Sequence, residues 1–230
     1  MKTSTDMKTL TFFSQKGGSG KTTLAVHTAV AAQERGERVA LMDVDPQKST
    51  ATWGSARRDE TPTIITVGAA ELDDAMKAAR HDAMTLCILD TAPHAAPDAA
   101  RAAKVADLVV IPCRPTAFDV AAAPAAVEIV KAAGKPAVFV LSACPFRARE
   151  IAETRELLKA HGLPIAPVEI TDRRAFARAV ATGRAVTEFD SEGKAAKEIR
   201  SLWKWIKEQM KHGVETDRVS SIRPKKHARA

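Results

Sequence analysis

Eight consecutive residues, Lys16-Gly17-Gly18-Ser19-Gly20-Lys21-Thr22-Thr23, put two lysines, three glycines and three hydroxyls into one short loop. Glycines let main-chain N–H groups close in on a ligand and adopt left-handed conformations. Hydroxyls can ligate a hard cation. Together these groups suit a polyphosphate carrying Mg2+, because loop N–H groups and the positive end of a following helix converge on one point. Lys21 is placed to bridge the terminal phosphates and Thr22 to ligate the metal. Carboxylates that such a site needs stand at Asp43 and Asp45, within Asp43-Val44-Asp45-Pro46-Gln47, and at Asp90, within Asp90-Thr91-Ala92-Pro93. Asp43 and Asp45 also fit a plainer role as helix or turn caps. His27 and His94 read as bystanders rather than bases. A second kind of chemistry is written near the end of the chain, where Lys197, Arg200, Lys204, Lys207 and Lys211 recur at spacings of 3, 4, 3 and 4. Such a stripe contacts phosphates without reading sequence, unless it is simply a solvated helix face.

These groups need a frame. Leu10, Phe12 and Phe13 predict a buried strand before the glycine loop, and helical spacing of Leu24, Ala25, Ala29 and Ala32 predicts a helix over 21–33 after it. Further strands are expected at 38–43, nearly continuous in apolar residues as a strand covered on both faces is, at 63–67, short and β-branched, and at 86–89, 108–111 and 137–141. Helices are expected at 49–58, 70–80, 120–133, 149–161, 175–181 and 194–211. The alternation implies an α/β fold, a doubly wound and mostly parallel sheet flanked by helices, with ligands at the strands' carboxyl ends. The loop at 16–23, Asp43 and Asp45, Asp90 and Pro112-Cys113-Arg114 all fall at such ends. In the last helix Ala196, Ile199, Leu202, Trp203, Ile206 and Met210 form the inward face beside the basic stripe.

At 230 residues the chain is long enough for one α/β domain, expected over 1–213, followed by a basic, disordered tail over 214–230. A hydrophobic content of 45% with 27% charged residues is ordinary for a globular protein. No apolar run approaches the roughly 20 residues that span a bilayer, and the opening Met-Lys-Thr-Ser-Thr-Asp lacks the apolar core of a secretory signal. A cytoplasmic location is therefore expected. Cys87, Cys113 and Cys144 match no metal-binding spacing and read as buried thiols. The formal charge of +7 lies entirely in 194–230, where eleven Lys/Arg face four Asp/Glu. That asymmetry points to a polyanionic partner, a nucleic acid or a membrane surface.

An ordinary phosphate-binding loop, G-x-x-x-x-G-K-[ST], would have its first glycine at position 15, where Gln15 stands; a lysine, Lys16, opens the run instead. This resembles the deviant Walker A motif of the ParA/MinD family of P-loop ATPases. The resemblance extends over residues 8–210. It takes in Asp43-Val44-Asp45-Pro46-Gln47, Asp90-Thr91-Ala92-Pro93 and Val109-Val110-Ile111-Pro112 with Arg114-Pro115 and Phe118-Asp119-Val120. It continues through Ile170-Thr171-Asp172-Arg173-Arg174-Ala175-Phe176 and Gly183-Arg184-Ala185-Val186 with Glu188. The family usually has a further proline where Ala92 or His94 stands, and often an asparagine where Ser142 stands. The short segment before the loop resembles the small ParA-type partition proteins without an N-terminal helix-turn-helix domain.

The resemblance implies an ATPase of slow intrinsic turnover that uses ATP and Mg2+. Lys16, Gly17, Gly18, Ser19, Gly20, Lys21, Thr22 and Thr23 would bind the nucleotide. Lys16 would reach the nucleotide of a second subunit, making an ATP-dependent homodimer. Asp45 would position the lytic water, so Lys16 and Asp45 are the catalytic candidates. Thr22, Asp43 and Asp90 are the metal candidates, the aspartates acting through water. Arg174 and Arg200 match positions that touch nonspecific DNA, to which the stripe of Lys197, Lys204, Lys207 and Lys211 is added. The implied role is partition or positioning of a plasmid or other cargo on the nucleoid, with a ParB-like partner protein. A MinD-like membrane switch, through Trp203, Trp205 and Ile206, and a metabolic P-loop kinase or synthetase are the alternatives.

Overall fold

A computed structural model describes residues 7–93 and 96–212. The elements run β1 (Lys8–Phe12), α1 (Lys21–Gln33), β2 (Val39–Asp43), α2 (Ser49–Ser55), β3 (Thr63–Thr66), α3 (Leu72–His81) and β4 (Leu86–Asp90). They continue with α4 (Ala96–Val105), β5 (Leu108–Cys113), α5 (Ala117–Ala133), β6 (Ala137–Leu141), α6 (Arg149–Lys159), α7 (Arg174–Val180), α8 (Val186–Phe189) and α9 (Lys194–His212). The expected tail over 214–230 lies outside the described residues, as does His94.

The six strands form one sheet in the order β3-β2-β4-β1-β5-β6, and every pairing is parallel. β1 lies between β4 and β5, so the chain moves to one side of β1 first and to the other later. The crevice at the carboxyl end of β1 is therefore the switch point where such sheets bind ligands. Register brings the chemistry level there: Asp43 pairs with Asp90, and Phe12 pairs with Asp90.

Strand alternation sorts the core into two layers. Leu10, Phe12, Leu41, Ile88, Val110 and Val140 face the side packed by α1 and by Ile199, Leu202, Trp203 and Ile206 of α9. On the other face Met42 and Leu89 meet Leu72 and Met76 of α3, while Val109, Ile111 and Phe139 meet Val127 of α5 and Leu158 of α6. Cys87, Cys113 and Cys144 are free and buried, and burial pushes each thiol up to about 12.

The predicted spans agree closely at α1 and β6, whose bounds match the expectation of 21–33 and 137–141. Two helices, α4 and α8, correspond to no predicted element. Half of the first is alanine, with Val105 its only larger aliphatic residue, and the second is a single turn of four residues. α5 starts three residues before the predicted 120, because the Thr116 side chain accepts from the Asp119 N–H and caps it.

Candidate functional site

The glycine loop leaves β1 with the Phe13 N–H still bonded to the Val110 carbonyl at 2.9 Å. It then turns back through two left-handed positions, Gly18 at φ 70° and Gly20 at φ 99°, conformations that cost a side-chain-bearing residue about 1 kcal/mol or more. Gly20 precedes α1 without any side-chain cap, and the first turn carries no acidic residue. The N–H groups at this helix end are thus available to an anion. Ser142, at the end of β6, donates its hydroxyl to the Ser19 carbonyl at 2.7 Å and braces the loop from the side. A Cβ on Gly20 would sit 3.5 Å from the Ser142 Cβ, so the two backbones meet closely.

Lys21 is buried and folds back to donate to the Lys16 carbonyl at 3.3 Å. Burial lowers its pKa, with Asp90 and Asp45 acting in opposition. Lys16 behaves differently: its ammonium stands 5.7 Å from the centroid of the Phe118 ring, which is 78% exposed. Two lysines five residues apart thus serve different directions, one folded into the loop and one out over the β5–α5 connection.

Asp90 is fully buried. One of its oxygens accepts the Thr50 hydroxyl at 2.8 Å, while Oδ1 has no partner among the described residues. Burial pushes its pKa up to about 6, opposed by the Thr22 and Thr50 hydroxyls. A buried carboxylate oxygen with unused capacity, beside Thr22, suits a hydrated cation. Among the described residues no three His, Cys, Asp or Glu stand close enough to chelate a metal by themselves. A cation here would need phosphate oxygens to complete its shell, as Mg2+ commonly does.

Asp43 has both oxygens engaged by main-chain donors, the Asp45 N–H at 3.1 Å and the Ala51 N–H at 2.9 Å. Burial raises its pKa and those bonds oppose the rise. It caps α2 and shapes the turn that carries Asp45. Asp45 accepts the Gln47 N–H at 2.9 Å and remains at the site's rim, 8% exposed. Thr50 was not among the sequence candidates, and Arg114, Asp119 and Ser142 were noted there without an assigned contact. Thr50 is an ordinary hydroxyl residue in sequence, and only its contact with Asp90 across the sheet singles it out.

Beside Gly18 and Gly20 lies a cavity of about 300 Å3, walled by Leu24, Ile170, Phe176 and Val180 with Ser142 and Thr171 at its polar side. Its apolar floor matches a flat ring system next to a phosphate loop. His27 packs edge-on against Phe176 with centroids 5.1 Å apart. It accepts the Val186 N–H at 3.2 Å, and burial lowers its pKa to about 3, so it serves packing as a neutral ring.

The basic residues of α9 are brought to one surface but are not alike. Arg200 pairs with Glu34 at 3.3 Å and Lys207 with Glu37 at 2.6 Å, both across to the end of α1. Lys197 faces Glu192 at 3.8 Å. Lys204 and Lys211 are exposed and have no carboxylate partner among the described residues. Arg174, exposed at the start of α7, belongs to a separate element.

A sequence-family comparison matches residues 10–186 to the CobQ/CobB/MinD/ParA nucleotide binding domain. Protein IncC of Escherichia coli is 30% identical over 251 aligned positions, covering 87% of this chain and 69% of that protein. Protein ParA of Rhizobium radiobacter is 28% identical over 174 positions, covering 71% and 78%. Among solved structures, apo McdA of Cyanothece superposes with a TM-score of 0.74 at 16% identity, over 87% of this chain and 99% of that one. The septum site-determining protein MinD with Mg-ADP, from Pyrococcus horikoshii, gives a TM-score of 0.72 at 14% identity, over 87% and 96%. At such identities the structural likenesses establish the fold.

Proposed function

Since the chain belongs to the CobQ/CobB/MinD/ParA nucleotide-binding family, we propose that it is an ATPase that dimerises on ATP, binds nonspecific DNA in that state, and positions a plasmid or other cargo with a ParB-like partner. The observation that carries this reading is the division of labour between the loop's lysines. Lys21 stays with its own loop, whereas Lys16 is turned out over the exposed Phe118 ring. A lysine held there is available to a second copy's nucleotide.

In this reading Lys16, Gly17, Gly18, Ser19, Gly20, Lys21, Thr22 and Thr23 bind ATP. Thr22 would hold Mg2+, with Asp90 and more remotely Asp43 acting through water; the unpartnered Oδ1 of Asp90 fits that role. The metal, when bound, neutralises charge on the phosphates. Asp45 orients the attacking water, and Asp43 fixes Asp45 by holding its N–H. Lys197, Lys204 and Lys211, with Arg174, offer phosphate contacts on each subunit, and two subunits together give the avidity that makes DNA binding depend on ATP. The cytoplasm, on the nucleoid, is the location this implies.

A membrane-switch reading is less well supported. The apolar side of α9, including Trp203 and Ile206, is already buried in the core.

The test compares wild type, Lys16→Ala and Asp45→Ala for dimerisation and retention on duplex DNA with ATP and Mg2+. Asp45→Ala should accumulate as a DNA-bound dimer, and Lys16→Ala should remain monomeric. Equal DNA retention with and without ATP in all three proteins would overturn the switch.

A further inference from the structure

The β5–α5 connection carries a cation to which the nucleotide reading assigns no role. Arg114 directly follows β5, next to the switch-point strand. Its Nε and Nη2 donate to the two oxygens of Asp119, each at 3.0 Å. Asp119 is itself buried and also accepts the Thr116 hydroxyl at 2.7 Å. The fork is therefore gripped in one plane by a carboxylate that is anchored at the start of α5. Fixing it this way leaves Nη1 as the nitrogen turned toward the phosphate loop, and a Cβ on Gly18 would stand 3.8 Å from it.

A loop clamp alone would not need this geometry, because Thr116 already caps the helix. Nor is the guanidinium sealed in, since its side chain is 31% exposed. Arginine held by a second group, with a nitrogen presented to an anion-binding loop, is the arrangement that recognises phosphate with little ordering cost. Arg114 comes from the β5 side of β1, whereas the carboxylates Asp43 and Asp90 come from the β2–β4 side. The two would flank a bound polyphosphate from opposite directions.

We propose that Arg114 is a phosphate-contacting residue of this site, held in position by Asp119, and that it binds the nucleotide of its own subunit on the side away from Asp90. This rests on the nucleotide reading above. Because the contact lies away from the metal side, it serves ADP and ATP alike.

The full-length chain is titrated with Mg-ADP and with the slowly hydrolysed analogue Mg-ATPγS, by calorimetry, for wild type, Arg114→Gln, Arg114→Lys and the double variant Arg114→Gln/Asp119→Asn. Arg114→Gln should weaken both nucleotides about tenfold, the effect of one charge-assisted hydrogen bond. Arg114→Lys, which keeps the charge without the fork, should recover part of the loss. The double variant leaves no unpaired buried carboxylate, so it should regain thermal stability lost by Arg114→Gln while binding nucleotide just as weakly. Wild-type affinity in either folded variant that lacks Arg114 would overturn the proposal. So would weakening of ATPγS alone together with loss of the dimer, which would place Arg114 across the subunit interface. Failure of wild type to bind either nucleotide would instead bring down the nucleotide reading itself.

Discussion

At the carboxyl edge of the sheet, charged groups are buried and retain unused capacity; on the outer face of α9 they stand nearer solvent and three of the five stripe residues are already paired. Asp90 keeps an oxygen without a donor in a fully buried setting. Burial lowers the pKa of Lys21, and Asp90 and Asp45 oppose that only in part. Both arrangements cost stability that a charged ligand would restore. On α9, by contrast, Glu34 and Glu37 hold Arg200 and Lys207. Burial raises the pKa of Glu37, but hydrogen bonds from Lys207 and Thr85 and the charges of Lys207 and Lys211 together bring it below its ordinary value. Even fully exposed pairs are worth about 0–1 kcal/mol, and these half-buried ones keep enough contact with solvent that a polyanion could still compete for them. A binding edge is recognised by groups left wanting, and a surface stripe by how many of its charges are spoken for.

The largest expected effect comes from removing the charge at the edge. Asp90→Asn should cut ATP hydrolysis by at least about 100-fold, and yet stabilise the ligand-free protein. The direction follows from the raised pKa: the group favours folding below its ordinary value of 3.8, and that contribution is lost as pH rises through about 6. At pH 7 the variant should therefore gain on the order of 2 kcal/mol, shrinking toward nothing near pH 4. Thermal denaturation at the two pH values reads this directly. A variant that melts at the wild-type temperature at both would refute the buried, unrewarded carboxylate.

An intermediate effect separates the two halves of the stripe. Lys204→Glu with Lys211→Glu should weaken ATP-dependent binding to duplex DNA about tenfold at 0.1 M salt, whereas Arg200→Gln with Lys207→Gln should change it by about threefold or less. If the second pair matched the first, the ion pairs to α1 would not be withholding charge. The smallest effect sharpens the same point from the other side. Glu34→Gln with Glu37→Gln should raise DNA retention about two- to threefold and steepen its salt dependence, with ATP turnover unchanged. Filter retention across a salt series is sufficient to detect it.

The edge was far more legible in the sequence than the stripe. Lys16 to Thr23 announce themselves because a phosphate loop needs those types side by side, and the bounds of α1 follow from local helical spacing. Asp43, Asp45 and Asp90 were found because each ends an apolar run. What those carboxylates touch was not legible: Asp43 accepts the Ala51 N–H of α2 and the Asp45 N–H, contacts that only the folded turn reveals. The basic stripe of α9 was read correctly as one face, but its charge state was not, because Glu34 and Glu37 lie on another element. α4 matches no expected helix because five of its ten residues are alanine and its only larger aliphatic residue is Val105, so its sequence carries no stripe of bulky core residues.

By itself the sequence determined everything set within a turn or a strand: the phosphate loop, the alternation of apolar strands with amphipathic helices, and hence the parallel sheet with its ligands at one edge. Only the tertiary structure decided which partners meet across it, such as Thr50 with Asp90, 40 residues apart, Ser142 with Ser19, 123 apart, and Arg200 with Glu34, 166 apart. Periodicity and steric preference act between near neighbours and leave a local trace. Hydrogen bonds and ion pairs depend on distance in space, and that distance is set only when the strands take their order around β1.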